Sequence, residues 1–95
     1  MKFQDKVVLV TGAGRGIGAA IARAFAAEGA AVGVNYLSDQ TAATQTVDDC
    51  RHLGEAAGGD AIALRGDVTR PEDCQRMVAE LVNEFGRLDV LVNNA

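Results

Sequence analysis

Eight residues near the start of the chain, Thr11-Gly12-Ala13-Gly14-Arg15-Gly16-Ile17-Gly18, carry the most chemical content of any segment. A phosphate group is held best by backbone N–H groups that point at it with no side chain in the way. The first turn of a helix supplies such N–H groups together with a partial positive charge. Glycines give both the turn and the clearance. The spacing is Thr-Gly-x-x-x-Gly-x-Gly. A GxGxxG fingerprint started at Gly12 needs Gly or Ala at position 17, and Ile17 stands there instead. A glycine cluster alone also makes ordinary turns, so its surroundings must decide between turn and anion site.

Those surroundings alternate strand and helix. Residues 7–10, Val-Val-Leu-Val, form a β-branched run of the kind buried on both faces of a sheet. After the glycines, Ile17, Ile21, Ala24 and Phe25 recur at helical spacing, and Gly29 stands where a helix stops. Residues 30–34 read as a second strand. Ser38 or Asp39 then caps a second helix with Ala43, Val47 and Cys50 inward, ended by Gly54, Gly58 and Gly59. Residues 61–64 form a third strand. Thr69 is the expected cap of a third helix, with Pro71 in its first turn and Glu72 closing a capping box. Cys74, Met77, Val78, Leu81, Val82 and Phe85 make its apolar stripe. Gly86 ends it, and residues 88–92 form a fourth strand. This alternation implies parallel strands and right-handed crossovers. The predicted fold is α/β, the first half of a doubly wound Rossmann sheet in strand order 3-2-1-4 with three helices, residues 1–95 forming one dinucleotide-binding half-domain. Two helices share one face and the third lies alone on the other.

Composition narrows the function classes. The 95 residues make at most one small domain, and 48% hydrophobic with 23% charged residues is ordinary for a globular chain. The net charge of −4 and the scattered cations argue against nucleic acid as a partner. Apolar stretches fall far short of the ~20 residues that span a bilayer, and no signal-peptide pattern opens the chain, so no membrane partner and a cytoplasmic location are expected. Cys50 and Cys74 lack the spacing of a disulfide framework or a zinc site and read as small core residues. His52, the one histidine, falls on a mostly polar helix and reads as a surface residue rather than a base.

Three segments together resemble the short-chain dehydrogenase/reductase family: TGAGRGIG, then Asp67-Val68 after the third strand, then Asn93-Asn94-Ala95 after the fourth. They occur in the family's order and spacing and cover nearly the whole chain. The texture around Val34-Asn35-Tyr36 is similar to bacterial 3-oxoacyl-carrier-protein reductases. The resemblance implies that Gly12, Gly16 and Gly18 form the loop under the coenzyme pyrophosphate, with the Ile17 backbone N–H approaching a phosphate; Gly14, in the same loop, is expected among the cofactor contacts. It implies that Asp67 accepts a hydrogen bond from the adenine amino group while the Val68 backbone touches the ring. Asn93, Asn94 and Ala95 match a segment that holds the central strands and lines the adenosine ribose, and Thr11 ties the first turn to that strand. For Asp67 the alternative is a turn residue capping the next helix, a job assigned here to Thr69.

A fold of this type selective for NAD carries an acid about 20 residues after the glycine loop, bonded to the ribose 2′-hydroxyl. Here the second strand ends Val34-Asn35-Tyr36 with no acid, and Asn35 and Tyr36 are expected among the coenzyme contacts, Tyr36 near the adenosine ribose. Arg15 and Ser38 are placed to meet a 2′-phosphate, and Asp39 is the one nearby acid that opposes it. The expectation is NADP(H) rather than NAD(H), with Arg15 as the main determinant. Position 14 is Gly where many NADPH-using relatives have Ser. The family's catalytic Ser and Tyr-x-x-x-Lys pair lie beyond the matched stretch, and Tyr36 has no Lys four residues on. The expected function is the coenzyme-binding part of a carbonyl reductase or alcohol dehydrogenase, inactive alone, with carbonyl or alcohol substrates and a homo-oligomeric state belonging to the complete enzyme. A non-catalytic nucleotide-binding or redox-sensing module on the same fold is the other reading. A different nucleotide or a methyl-donor site on such a sheet is disfavoured by the three motifs together.

Overall fold

The computed structural model describes residues 2–95. Its elements are β1 (Val7–Val10), α1 (Gly16–Ala27), β2 (Ala31–Tyr36), α2 (Gln40–Gly54), a 3-10 turn (Glu55–Ala57), β3 (Asp60–Arg65), α3 (Pro71–Phe85) and β4 (Val90–Val92). The four strands are all parallel, in the order β3-β2-β1-β4. Val8 pairs with Val32 on one side and with Val90 on the other. Fold class, strand order and helix count match the expectation from sequence.

The period of two in β1 divides the core between two faces. Val8 and Val10 point to one face with Val32 and Val34, under Ala22 and Ala26 of α1 and Ala43, Val47 and Cys50 of α2. Val7 and Leu9 point to the other with Leu64, under Met77 and Leu81 of α3. Two helices thus cover one face and α3 alone covers the other.

Several local readings shift. The inner face of α1 is Gly18, Ala19, Ala22 and Ala26, not Ile17 and Ala24. The Ile17 side chain is 75% exposed. Apolar character on α1 runs nearly all round, so periodicity could not choose the face. Small residues were chosen because α1 packs closely on the sheet and on α2. β2 extends to Tyr36, which puts Asn35 inside the strand. β4 is confined to Val90–Val92. Asp39, not Ser38, caps α2, its carboxylate accepting from Ala42 N at 3.0 Å. The predicted cap of α3 fails: Arg70 occupies the cap position without a side-chain cap bond. Thr69 is engaged elsewhere, and the Glu72 carboxylate pairs with Arg70 at 3.2 Å instead of reaching back to a backbone N–H. Along α3 only Met77 and Leu81 are fully buried. Cys74 is half-buried and Val82 is 38% exposed. Among the described residues no helix is long and apolar enough to cross a membrane, and no cluster of three or more His, Cys, Asp or Glu is arranged to hold a metal.

Candidate functional site

The glycine segment leaves the C-terminal end of β1 and enters α1 over the middle of the sheet. Position 18 requires glycine for space. A Cβ there would run into the Gly12 carbonyl oxygen and come within 2.7 Å of Asn94 Nδ2. Position 16 requires it for conformation and leaves room in front. Its φ is +63°, and nothing lies within 4 Å of where a Cβ would stand. Arg15 is the N-cap of α1 and makes no side-chain cap bond. Gly14, Arg15, Gly16, Ile17 and Gly18 N–H find no acceptor among the described residues. A helix start with free donors, no cap and a cleared approach has the donor set for an anion.

Below this opening the loop is tied down. Gly12 N donates to Asn35 Oδ1 at 3.0 Å, and Ala13 N donates to Asn35 O at 2.8 Å. Asn94 Nδ2 donates to Gly12 O at 3.2 Å. The Thr11 hydroxyl accepts from Asn94 N at 2.9 Å and from Ala95 N at 3.1 Å, and it lies 3.3 Å from Val92 O. Thr11 joins the first turn to the end of β4 as the sequence led one to expect. Asn93 stands with it, its Oδ1 3.4 Å from the same hydroxyl. Asn93, Asn94 and Ala95 are therefore scaffold for the loop here.

Two cavities open along the C-terminal edge of the sheet and share Leu37. The first, about 270 Å³, is lined by Gly12, Gly14, Arg15, Tyr36, Ser38 and Asp39. The Arg15 guanidinium, 83% exposed, lies 3.9 Å from the Asp39 carboxylate. An ion pair so exposed and so long contributes little, so both groups are available to a ligand. The second cavity, about 430 Å³, is lined by Asp67 with Arg65, Gly66, Arg70, Asp73 and Arg76.

Asp67 occupies a turn as well as a cavity wall. Its Oδ1 accepts from the Thr69 hydroxyl at 2.6 Å and from Thr69 N at 2.9 Å. Those two bonds hold its carboxyl below the usual carboxylate range. Thr69 thus serves Asp67 rather than capping α3, which removes the reason for setting the turn role aside. Asp67 N in turn donates to Asp73 Oδ2 at 2.9 Å. Val68 is half-buried on the α3 side, and its carbonyl lies 3.5 Å from Cys74 Sγ. Asn35, read from sequence among the coenzyme contacts, is 2% exposed, with its side-chain donors and acceptor taken by the protein. Its side chain faces inward, away from either cavity. Tyr36 and Ser38 line the first cavity, and exposed His52 on α2 lines neither.

A sequence profile of the short chain dehydrogenase family matches residues 6–95. The chain belongs to that family. It is 50% identical over 94 residues to an uncharacterised oxidoreductase of Methylorubrum extorquens, a match covering 99% of this chain and 36% of that protein. It is 43% identical to the short-chain dehydrogenase/reductase homolog YusS of Bacillus subtilis, covering all of this chain and 84% of YusS. Among solved structures it superposes, with a TM-score of 0.89 and 42% identity, on a short chain dehydrogenase from Burkholderia cenocepacia J2315 in complex with NADP. That match covers 100% of this chain and 37% of the other. The chain thus spans about a third of the length of the Methylorubrum relative and most of YusS.

Sequence reasoning passed over two further residues: Asp89, which ties strands together at the end of the sheet opposite the glycine loop, and Arg65, which lines the second cavity. Asp89 clamps the start of β4 to β1: its Oδ2 accepts from Val7 N at 2.9 Å while its own N donates to Val7 O at 2.9 Å. Arg87 pairs with it at 2.7 Å, and these bonds hold its carboxyl low. The only signal in the sequence was an acid at the entrance to an apolar run. Arg65, at the end of β3, donates from Nε to Leu37 O at 3.3 Å and so stands beside Asp67. Nothing local marks it out from other surface arginines.

Proposed function

We propose that this chain binds the adenosine and pyrophosphate end of a nicotinamide dinucleotide, NADP(H) in preference to NAD(H). It would act as the coenzyme-binding part of an oxidoreductase working on carbonyl or alcohol substrates. The observation that carries the reading is the uncapped start of α1, where free N–H groups meet a cleared approach at Gly16. The pyrophosphate belongs over Gly14 to Gly18, with Ile17 contributing its N–H. The ribose belongs in the cavity lined by Tyr36 and Ser38, bordered by Asn94 and Ala95 through Gly12. The adenine belongs beside Asp67 and Val68. The NADP bound by the Burkholderia relative and the absence of an acid at positions 35 and 36 support a 2′-phosphate near Arg15 and Ser38. Asp39 offsets part of that attraction.

When bound, the coenzyme supplies hydride chemistry. Residues 1–95 supply binding and orientation. Proton transfer to a substrate needs a positioned acid, and no Tyr-x-x-x-Lys pair occurs in these residues. They are therefore proposed to catalyse nothing by themselves. The carrier-protein-linked 3-oxoacyl group is the substrate class suggested by sequence texture alone.

Titration of the chain with NADPH and NADH tests the coenzyme assignment. NADPH is expected to bind about tenfold more tightly, as one exposed charge-assisted bond allows. Arg15→Ala should remove most of that margin while leaving NADH affinity in place. Equal or tighter NADH binding by the unaltered chain would overturn the NADP(H) assignment.

A further inference from the structure

We propose that Asn35 is a positioning residue for nucleotide binding, which divides the glycine loop into a half bonded to the scaffold and a half free for phosphate. The proposal rests on the nucleotide reading above. The Asn35 side chain lies at the end of β2 beneath the loop, 2% exposed, and it faces two ways. Oδ1 accepts from Gly12 N at 3.0 Å. Nδ2 is surrounded by acceptors: Leu64 O at 3.2 Å, Gly66 O at 3.1 Å, Met77 Sδ at 3.1 Å and Tyr36 O at 3.4 Å. One orientation of the amide satisfies both ends. Turned over, it would set an oxygen against three carbonyls and an NH₂ group against the Gly12 N–H. The residue must therefore present an acceptor on one branch and a donor on the other, at the length of Asn.

The same residue takes the next N–H through its backbone, Ala13 N to Asn35 O at 2.8 Å. Two successive loop donors are thereby spent on β2, and the free donors begin at Gly14. A loop released at Gly12 is free to rotate its peptides, and the N–H groups of residues 14–17 would no longer converge. Asn35 also joins both faces of the sheet, because Met77 lies on α3 while Gly12 leads into α1. A substitution at the Asn35 contact on α3 is thus in line with the loop on the opposite face.

The test uses the 95-residue chain and ADP, with adenosine as the phosphate-free control. In the unaltered chain, ADP should shift the backbone amide signals of residues 14–17. Gly12 and Ala13 amides should stay slow to exchange and little moved. Asn35→Ala, which deletes the acceptor, should speed Gly12 exchange and weaken ADP by about tenfold, the value of one buried hydrogen bond. Adenosine binding should change less than about twofold, within the uncertainty of such effects. A residue that only stabilised the fold would lower the melting temperature and leave ADP affinity of the folded protein unchanged. ADP affinity retained in a folded Asn35→Ala variant overturns the proposal alone. So does an unaltered chain in which Gly12 is the amide that ADP moves most, a result that needs no variant to fold. An unaltered chain that leaves ADP unbound overturns the nucleotide reading and this proposal with it.

Discussion

The two faces of the sheet are built on different plans. The face under α1 and α2 is closed by small side chains at short range: Gly18, Ala22 and Ala26 from one helix, Ala43 and Cys50 from the other. The face under α3 rests on a few large residues, chiefly Leu9, Leu64, Met77 and Leu81. It leaves an apolar cavity of about 220 Å³ bordered by Val68, Val78, Leu88 and Leu91. The first plan gives precision, because helix backbones that approach closely fix the start of α1 to the sheet. The second gives area with fewer constraints. The phosphate-facing loop sits on the precise side, which is the side where a small displacement would matter.

Gly18→Val would test the precise face most severely. The added side chain meets the Gly12 carbonyl, which is backbone and cannot rotate away. A loss of about 3 kcal/mol, at the upper end for overpacking, is expected in denaturant unfolding. A loss below 1 kcal/mol would mean that the loop yields and that this face is no tighter than the other.

The cysteines report the same contrast chemically. Cys50 lies fully buried under α2, and burial pushes its thiol up to about 11, with Arg23 lowering it and Asp49 raising it in smaller measure. Cys74 is half-buried on α3. A thiol reagent at neutral pH should label Cys74 first and Cys50 only as the chain unfolds. Unfolded Cys50 gives up its proton near its ordinary 9.0, before the folded form does. Raising the pH from about 9 to 11 should therefore destabilise the native state, and Cys50→Ala should blunt that decline. Equal labelling rates would dissolve the distinction between the faces.

Leu91 offers the mildest probe. It is 59% exposed on β4, an edge strand with free pairing groups on one side. The purified chain is expected to bind an apolar dye and to self-associate at high concentration. Leu91→Lys should reduce both and change stability by less than about 0.5 kcal/mol, as for an exposed position. Sedimentation of the unaltered chain as a compact monomer without dye binding would show that the open face is adequately closed.

Much of this was legible along the chain. Four apolar runs, three helical stretches and glycine stops at positions 29 and 86 placed every element to within a few residues. They also gave the strand order, since chirality and short connections leave few alternatives. The misreadings share a cause. Ile17 was counted in the helical apolar repeat because it is apolar, although the fully buried positions of α1 are Gly18, Ala19, Ala22 and Ala26. Thr69 was assigned as a cap because it precedes Pro71 by two positions, although Asp67 lies within reach of it first. Asn35 was assigned to the ligand because it ends a strand near the loop.

What the sequence alone determined is what neighbours in the chain decide: strand or helix, where each ends, and the glycine spacing that opens the start of α1. Turn chemistry and side-chain period act over a handful of residues, so they can be read there. What only the tertiary structure decided is which polar groups the protein satisfies internally and which it leaves free. Apart from adjacent Tyr36, the side-chain partners of Asn35 lie 23 to 42 positions away, and the partners of the Thr11 hydroxyl more than 80. A buried amide takes whatever donors and acceptors packing brings to it, because leaving them unmet costs more than any local preference.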